Sequence, residues 1–371
     1  SGMEAVDDGD APPLTPVEHG GQELLDHLVA DLSVTTNALG PPAAAVRAAS
    51  AAMQTICHYP PLTCEPALGE LASFLGVSPE LVLLGNGASE LIDLLVRDAA
   101  AQHAAPPSGS LAPGWAPGPS RTQYKEYSRS ASAAGFAQLP AADACAAKLH
   151  CVVNPSNPTG DFLRAGEMRA YVERVCARGS HALVDESMLM WLGSEWRAES
   201  LGAHGEWLRR MHAERGVTVV VLHSWTKIWA CPGLRVGSCV CPTAAVARRV
   251  RARQVPWSLN SPALAFLSAA ITDEAYLAET WARTPSWNAA ARAELLAAFP
   301  GWRVRGQEWC SWLWVDTGDE AALASALARA RAAGLPLRSG AAGYDSPTCF
   351  RMAVRAPEVS RALVRALRSP A

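Results

Sequence analysis

Short apolar runs alternating with amphipathic helical patterns predict an α/β fold: a mainly parallel central sheet with helices on both faces, followed by a second, smaller α/β domain. Three observations carry this. Strand-like runs recur between helical patterns from Leu81 to Val240, and a glycine turn joins the first of them directly to a helix. After Pro256 the texture shifts to long Ala/Leu/Arg helices with few strands between them. A chain of 371 residues has room for two or three cores at roughly 100–200 residues each.

Residues 1–30 begin polar and Pro/Gly-rich and turn weakly helical at 22–30, which suggests an arm. Helical spacing follows at 42–53 and at 65–75, where Leu68, Leu71 and Leu75 share a face. Leu81–Leu84 reads as a strand that ends in Gly85-Asn86-Gly87, with Leu91, Leu94 and Leu95 opening a helix at once. Residues 103–120, dense in Pro, Gly, Ser and Ala, read as a flexible surface insertion. Regular alternation then gives helix 124–134, strand 149–153, helix 165–178, strand 182–184, helix 205–215 and strands 217–222 and 236–240. Helices across 261–298, strands near 302–305 and 311–315, a helix at 320–333 and a strand and helix across 350–368 complete the chain. The expected domains are an arm with part of the small domain at 1–44, a large domain at 45–255 and a small C-terminal domain at 256–371.

A content of 49% apolar and 18% charged residues argues against wholesale disorder and fibrous repeats. Lys+Arg of 32 against Asp+Glu of 35, without a basic block, makes nucleic acid an unsuitable partner. Ten scattered cysteines contain no C-x-x-C pair, so they read as reduced core thiols. The nine histidines form no ligand-spaced pair with cysteines or carboxylates, and no metal site is expected. The apolar run Val217–Leu222 is far short of the ~20 residues that span a bilayer. Ser1-Gly2-Met3 reads as a tag remnant, and the acidic stretch Glu4–Asp10 resembles neither a secretion signal nor a transit peptide. The expected compartment is the cytoplasm, although a removed organellar leader would leave no trace.

The run Ser224-Trp-Thr-Lys-Ile-Trp-Ala-Cys-Pro-Gly-Leu-Arg-Val-Gly237 directly follows an apolar strand. A lysine at the carboxyl edge of a sheet can be partly desolvated, which lowers its pKa toward the nucleophilic form and makes Lys227 a Schiff-base candidate. The hydroxyls of Ser224 and Thr226 and the guanidinium of Arg235 can gather around a phosphate.

This run resembles the lysine motif of fold-type-I pyridoxal-phosphate (PLP) enzymes, the class I/II aminotransferase superfamily, and three further segments match in order. Asn154-Pro-Ser-Asn-Pro-Thr-Gly160 is similar to the segment whose second Asn, here Asn157, contacts the pyridine hydroxyl oxygen. Asp185-Glu186 is similar to the pair whose Asp holds the ring nitrogen protonated. Gly85-Asn-Gly-Ala-Ser-Glu90 is similar to the phosphate turn, which implicates Gly87, Ala88 and Ser89. The resemblance further implies that Tyr124 stacks on the ring, that Tyr59 reaches the phosphate of a neighbouring subunit in a homodimer, and that Arg351 binds the substrate carboxylate. Arg338 becomes a candidate for a distal anion, while Arg355 reads as a solvated strand end. It also implies a seven-stranded-type central sheet in a large PLP-binding domain, with PLP as cofactor.

Asp31-Leu-Ser-Val-Thr-Thr-Asn37-Ala-Leu-Gly40-Pro-Pro resembles the histidinol-phosphate aminotransferase and threonine-phosphate decarboxylase branch, which places Asn37 and Asn260 near the substrate or in loop-backbone bonds. One departure bears on the reaction. Met188 stands where aminotransferases of this branch carry a tyrosine that donates to the pyridine oxygen, whereas the decarboxylases often lack it. Trp191, Trp196, Trp225 and Trp229 crowd the motifs and read chiefly as packing. Amino transfer on a small amino acid, phosphorylated or acidic in one version, is the leading expectation. Decarboxylation of a threonine-phosphate-like substrate comes second, then a PLP lyase, cyclase or racemase, and last a non-enzymatic PLP-binding protein.

Overall fold

The computed structural model describes residues 19–22, 26–103 and 112–368. The opening Ser1-Gly2-Met3, the acidic stretch and residues 104–111 of the expected insertion lie outside the described residues. Strands β1 Val82–Asn86, β2 Gly114–Gly118, β3 Ala137–Gln138, β4 Leu149–Val153, β5 His181–Asp185, β6 Thr218–Ser224 and β7 Val236–Val240 form one sheet in the order β1-β7-β6-β5-β4-β2-β3. The strands from β6 across to β3 are parallel, and β7 runs antiparallel to both β6 and β1. Alternation along the strands divides the core into two layers. Val152, Val184 and Val221 face one layer of helices, and Cys151, Leu183 and Val220 the other. All four tryptophans at 191, 196, 225 and 229 belong to the first layer, as the packing interpretation expects.

Two expectations are corrected. The Pro/Gly-rich stretch at 103–120 is not surface loop throughout, because Gly114–Gly118 is a wholly buried strand between β3 and β4. Its glycines are steric necessities: a Cβ at Gly114 would sit 2.5 Å from Leu139, and one at Gly118 would meet the Tyr171 hydroxyl. Pro117 is tolerated because β3 pairs only with Gly114 and Trp115, so no neighbour asks position 117 for an N–H on that side. The second correction concerns 22–30, whose described residues form turns and coil. There the backbone bonds outward, Val29 N–H donating to Gly334 O at 2.9 Å and Leu32 N–H to Pro336 O at 3.1 Å.

A second, antiparallel sheet in the order β10-β11-β9-β8 comprises β8 Arg303–Arg305, β9 Trp312–Asp316, β10 Arg338–Ser339 and β11 Cys349–Ala353. Its core gathers Leu313, Val315, Phe350 and Met352 with Leu32 from the opening segment and Leu363 from the last helix. The run 261–298 splits into helices Ser261–Ala270 and Glu274–Ala298, the second capped by Asp273, whose carboxylate accepts from Tyr276 N–H at 3.0 Å. Packing changes sides inside this second helix: Tyr276 and Leu277 join the first core, Ala291 and Leu295 the other. Among the described residues no helix is long and apolar enough to cross a membrane.

Candidate active site

Parallel pairing sets Asp185 opposite Leu222, so the carboxyl ends of β5 and β6 deliver their side chains to one crevice at the sheet edge. A cleft of about 650 Å³ opens there, lined from both sheets by Lys227, Asp185, Tyr124, Asn157, Arg351 and Arg338 among others. Lys227 occupies the short helix Trp225–Ile228 that β6 leads into. Burial, with Arg351 and Arg235 adding positive charge nearby, lowers its pKa from 10.5 to about 8, while Asp185 opposes the shift.

One wall is an anion cradle. Ala88 and Ser89 stand in the first turn of helix Gly87–Gln102, where amide N–H groups have no partner within the helix. The hydroxyls of Ser224 and Thr226 lie 2.8 Å apart, and Arg235 adds a guanidinium. Gly87 has φ +76°, and a Cβ there would fall 2.4 Å from Arg235 Nη2, so only glycine leaves the guanidinium its place. This donor set fits a phosphate.

The opposite wall suits a planar cationic heterocycle. Asp185 is buried and fixed from two sides, its Oδ2 accepting from the Tyr127 hydroxyl at 3.0 Å and its Oδ1 from Ser187 N–H at 2.9 Å. Tyr124 lines the cleft with its phenol pKa pushed up by burial and by Glu126. Arg351 is buried with Nη1 donating to Asn157 Oδ1 at 2.6 Å and Nη2 to Ser33 O at 2.5 Å. Met188, 5% exposed, lines the same cleft with no N–H or O–H.

Other expected residues stand elsewhere. Asn37 does not line the cleft. Its Nδ2 donates to Ile228 O and Thr280 Oγ1, its Oδ1 accepts from Leu39 N–H, and its own N–H donates to Lys227 O at 2.9 Å, so it clips the lysine turn in place. Asn260 caps helix Ser261–Ala270 by accepting from Ala263 N–H. Arg355 is not a solvated strand end: it donates to the carbonyls of Asp31, Val34 and Thr36, and burial lowers its pKa to about 10. Tyr59 lies outside its own chain's cleft, 78% exposed and stacked on Trp257 at 4.4 Å. Sequence reasoning missed Tyr127 and Tyr344. The first carried a signal, since Tyr124-Lys-Glu-Tyr127 places two phenols on neighbouring turns, whereas Tyr344 offered none.

The class I and II aminotransferase family matches residues 29–367, nearly the whole chain. The chain belongs to that family. It is a PLP-dependent aminotransferase of the fold-type-I architecture. A histidinol-phosphate aminotransferase of Symbiobacterium thermophilum is 30% identical over 371 aligned residues, covering 96% of this chain and 94% of the relative. Among solved structures, the histidinol-phosphate aminotransferase of Sinorhizobium meliloti in complex with pyridoxal-5'-phosphate is similar, with a TM-score of 0.76 at 17% identity over 92% of this chain and 90% of that one. L-threonine-O-3-phosphate decarboxylase of Porphyromonas gingivalis has a TM-score of 0.73 at 16% identity over 91% of this chain and 98% of its own. These two likenesses are of fold.

Proposed function

We propose that this aminotransferase takes an α-amino acid bearing a second anionic group, phosphate or carboxylate, and works as a homodimer. The observation that carries the substrate reading is a pair of arginines. Arg338 and Arg351 are register partners on β10 and β11, both buried and both lining the cleft that holds Lys227. Both guanidiniums therefore face one cleft, where each can meet one anionic group of the same substrate. Arg351 is the carboxylate ligand in this reading, because its planar fork matches a carboxylate. Arg338 receives the distal anion.

PLP, when bound, supplies an electron sink for the substrate Cα. Ala88, Ser89, Ser224, Thr226 and Arg235 would hold its phosphate, Asp185 its ring nitrogen, Asn157 its ring hydroxyl oxygen and Tyr124 its ring face. The Lys227 amine, with its pKa lowered to about 8, is suited to take a proton at Cα and return one near neutral pH. Tyr59 would be supplied by the partner subunit.

The test incubates PLP-loaded protein with O-phosphothreonine, glutamate and alanine while following the visible band. Bleaching by the anion-bearing substrates with an oxo product, reversed by a 2-oxo acid, is expected. Preference for alanine would overturn the substrate reading. Met188 favours a second outcome, CO2 release without a 2-oxo acid, which would make decarboxylation the reaction.

A further inference from the structure

Within the cleft, three side chains close a hydrogen-bonded triangle whose proton directions have one solution. Arginine only donates, so the Asn157 atom facing Arg351 Nη1 at 2.6 Å is the amide oxygen. The Tyr344 hydroxyl accepts from the same Nη1 at 2.9 Å. It then donates its single hydrogen to that amide oxygen at 3.1 Å. The amide is thereby fixed with its oxygen saturated, and its Nδ2 bonds no protein group among the described residues.

Tyr344 ends the short helix Gly340–Tyr344 between β10 and β11, so this hydroxyl comes from the second sheet while Asn157 comes from the loop after β4. The ring is 5% exposed and packs edge-on against Trp314 at 5.6 Å. The charged groups near it are the guanidinium of Arg338, 5.9 Å from the ring centroid, and that of Arg351 at 6.0 Å. Asp345, the next residue, is exposed and pairs with Lys125, which lines the cleft.

We propose that Tyr344 is a positioning residue that couples the two halves of the site: its hydroxyl holds the Asn157 amide with Nδ2 toward the cofactor's ring oxygen and orients the Arg351 guanidinium for the substrate carboxylate. This rests on the PLP reading of the cleft. Met188 has no donor for that ring oxygen, which makes the orientation of the Asn157 donor the more consequential. A carboxylate arriving at Arg351 competes for the Nη1 hydrogens that Tyr344 and Asn157 share. The event is then felt at Asn157 through one hydroxyl.

The test is Tyr344→Phe in the PLP-loaded protein, with Asp345→Asn beside it. Removing the hydroxyl frees the amide and weakens a donor to a negatively charged oxygen, so the midpoint of the visible-band pH titration, without substrate, should rise by about half a unit. KM for the amino acid should rise about fivefold with kcat less affected, since one neutral hydrogen bond orients the carboxylate ligand. Asp345→Asn, which loses only the exposed pair with Lys125, should leave the midpoint in place. A midpoint unmoved within about 0.1 unit in Tyr344→Phe, whatever happens to KM, would overturn the proposal, as would an equal shift in Asp345→Asn. Absence of any visible band in the unaltered protein would instead overturn the PLP reading.

Discussion

Lys227 owes its chemistry to where β6 stops. A lysine in water holds its proton until the pH passes about 10.4, and a protonated amine is no nucleophile. Here burial and two guanidiniums disfavour the charged form and bring the pKa to about 8, so the neutral fraction climbs as pH passes that value. Capture of PLP by the PLP-free protein, assayed as label fixed by borohydride, should accordingly rise with pH and be half-maximal near pH 8. Lys227→Ala should still bind PLP through the cradle, release it on dialysis, fix none with borohydride and show no turnover. Covalent fixing in that variant would refute the assignment. At the other wall, Tyr127→Phe removes the hydroxyl that holds Asp185 Oδ2 and nothing else. Loss of one buried hydrogen bond should cost about 1 kcal/mol in urea unfolding and slow turnover about fivefold, the rate equivalent of that energy.

At the scale of elements, two close approaches depend on glycine, one in the cradle and one in β2. Gly87→Ala places a methyl group where Arg235 Nη2 now lies and asks alanine to hold φ +76°. The backbone alone costs about 1–2 kcal/mol, so PLP should bind at least about fivefold more weakly, read as a titrated Kd. Gly118→Ala tests β2 in the same way: a methyl against the Tyr171 hydroxyl should destabilise the fold by about 1–3 kcal/mol in urea. Were 114–118 a loose loop, that substitution would be neutral. This strand also shows where reading the chain falls short. Strands β4, β5 and β6 declared themselves because adjacent Val and Leu residues bury best in a sheet covered on both faces, and the segments at the cleft carried family motifs. β2 is legible only once Leu139 and Tyr171 are in place, since its glycines answer to side chains more than 20 and 50 positions away. Arg355 misled for a related reason, because its carbonyl partners at 31–36 are distant in sequence. Asn37 and Tyr344 belong with it: spacing identifies a residue type, but the partner that spends its hydrogen bonds is a tertiary fact.

For the molecule as a whole, the cleft draws on both sheets and leaves Tyr59 of its own chain outside it. Tyr59 stacks on Trp257 at the surface, and the two segments this stack joins supply Met53, Ile56, Tyr59, Leu62, Val255 and Trp257, six of the ten large exposed apolar residues among those described. Such clustering marks an interaction surface, and a second copy of the chain would cover it while carrying Tyr59 toward another cleft. Sharing of a site between subunits has a signature that stability measurements cannot imitate. Lys227→Ala abolishes one cleft component and Tyr59→Phe weakens another. If they act in one chain's cleft, mixing the two variants restores nothing. If Tyr59 acts across the interface, each mixed dimer contains one cleft with a native lysine and a native tyrosine. Random reassociation makes half the dimers mixed, with one native cleft of two, so activity at limiting PLP should recover to about a quarter of the unaltered level. Recovery no greater than the sum of the separate variants, with mixed dimers present by native mass spectrometry, would refute action of Tyr59 across the interface.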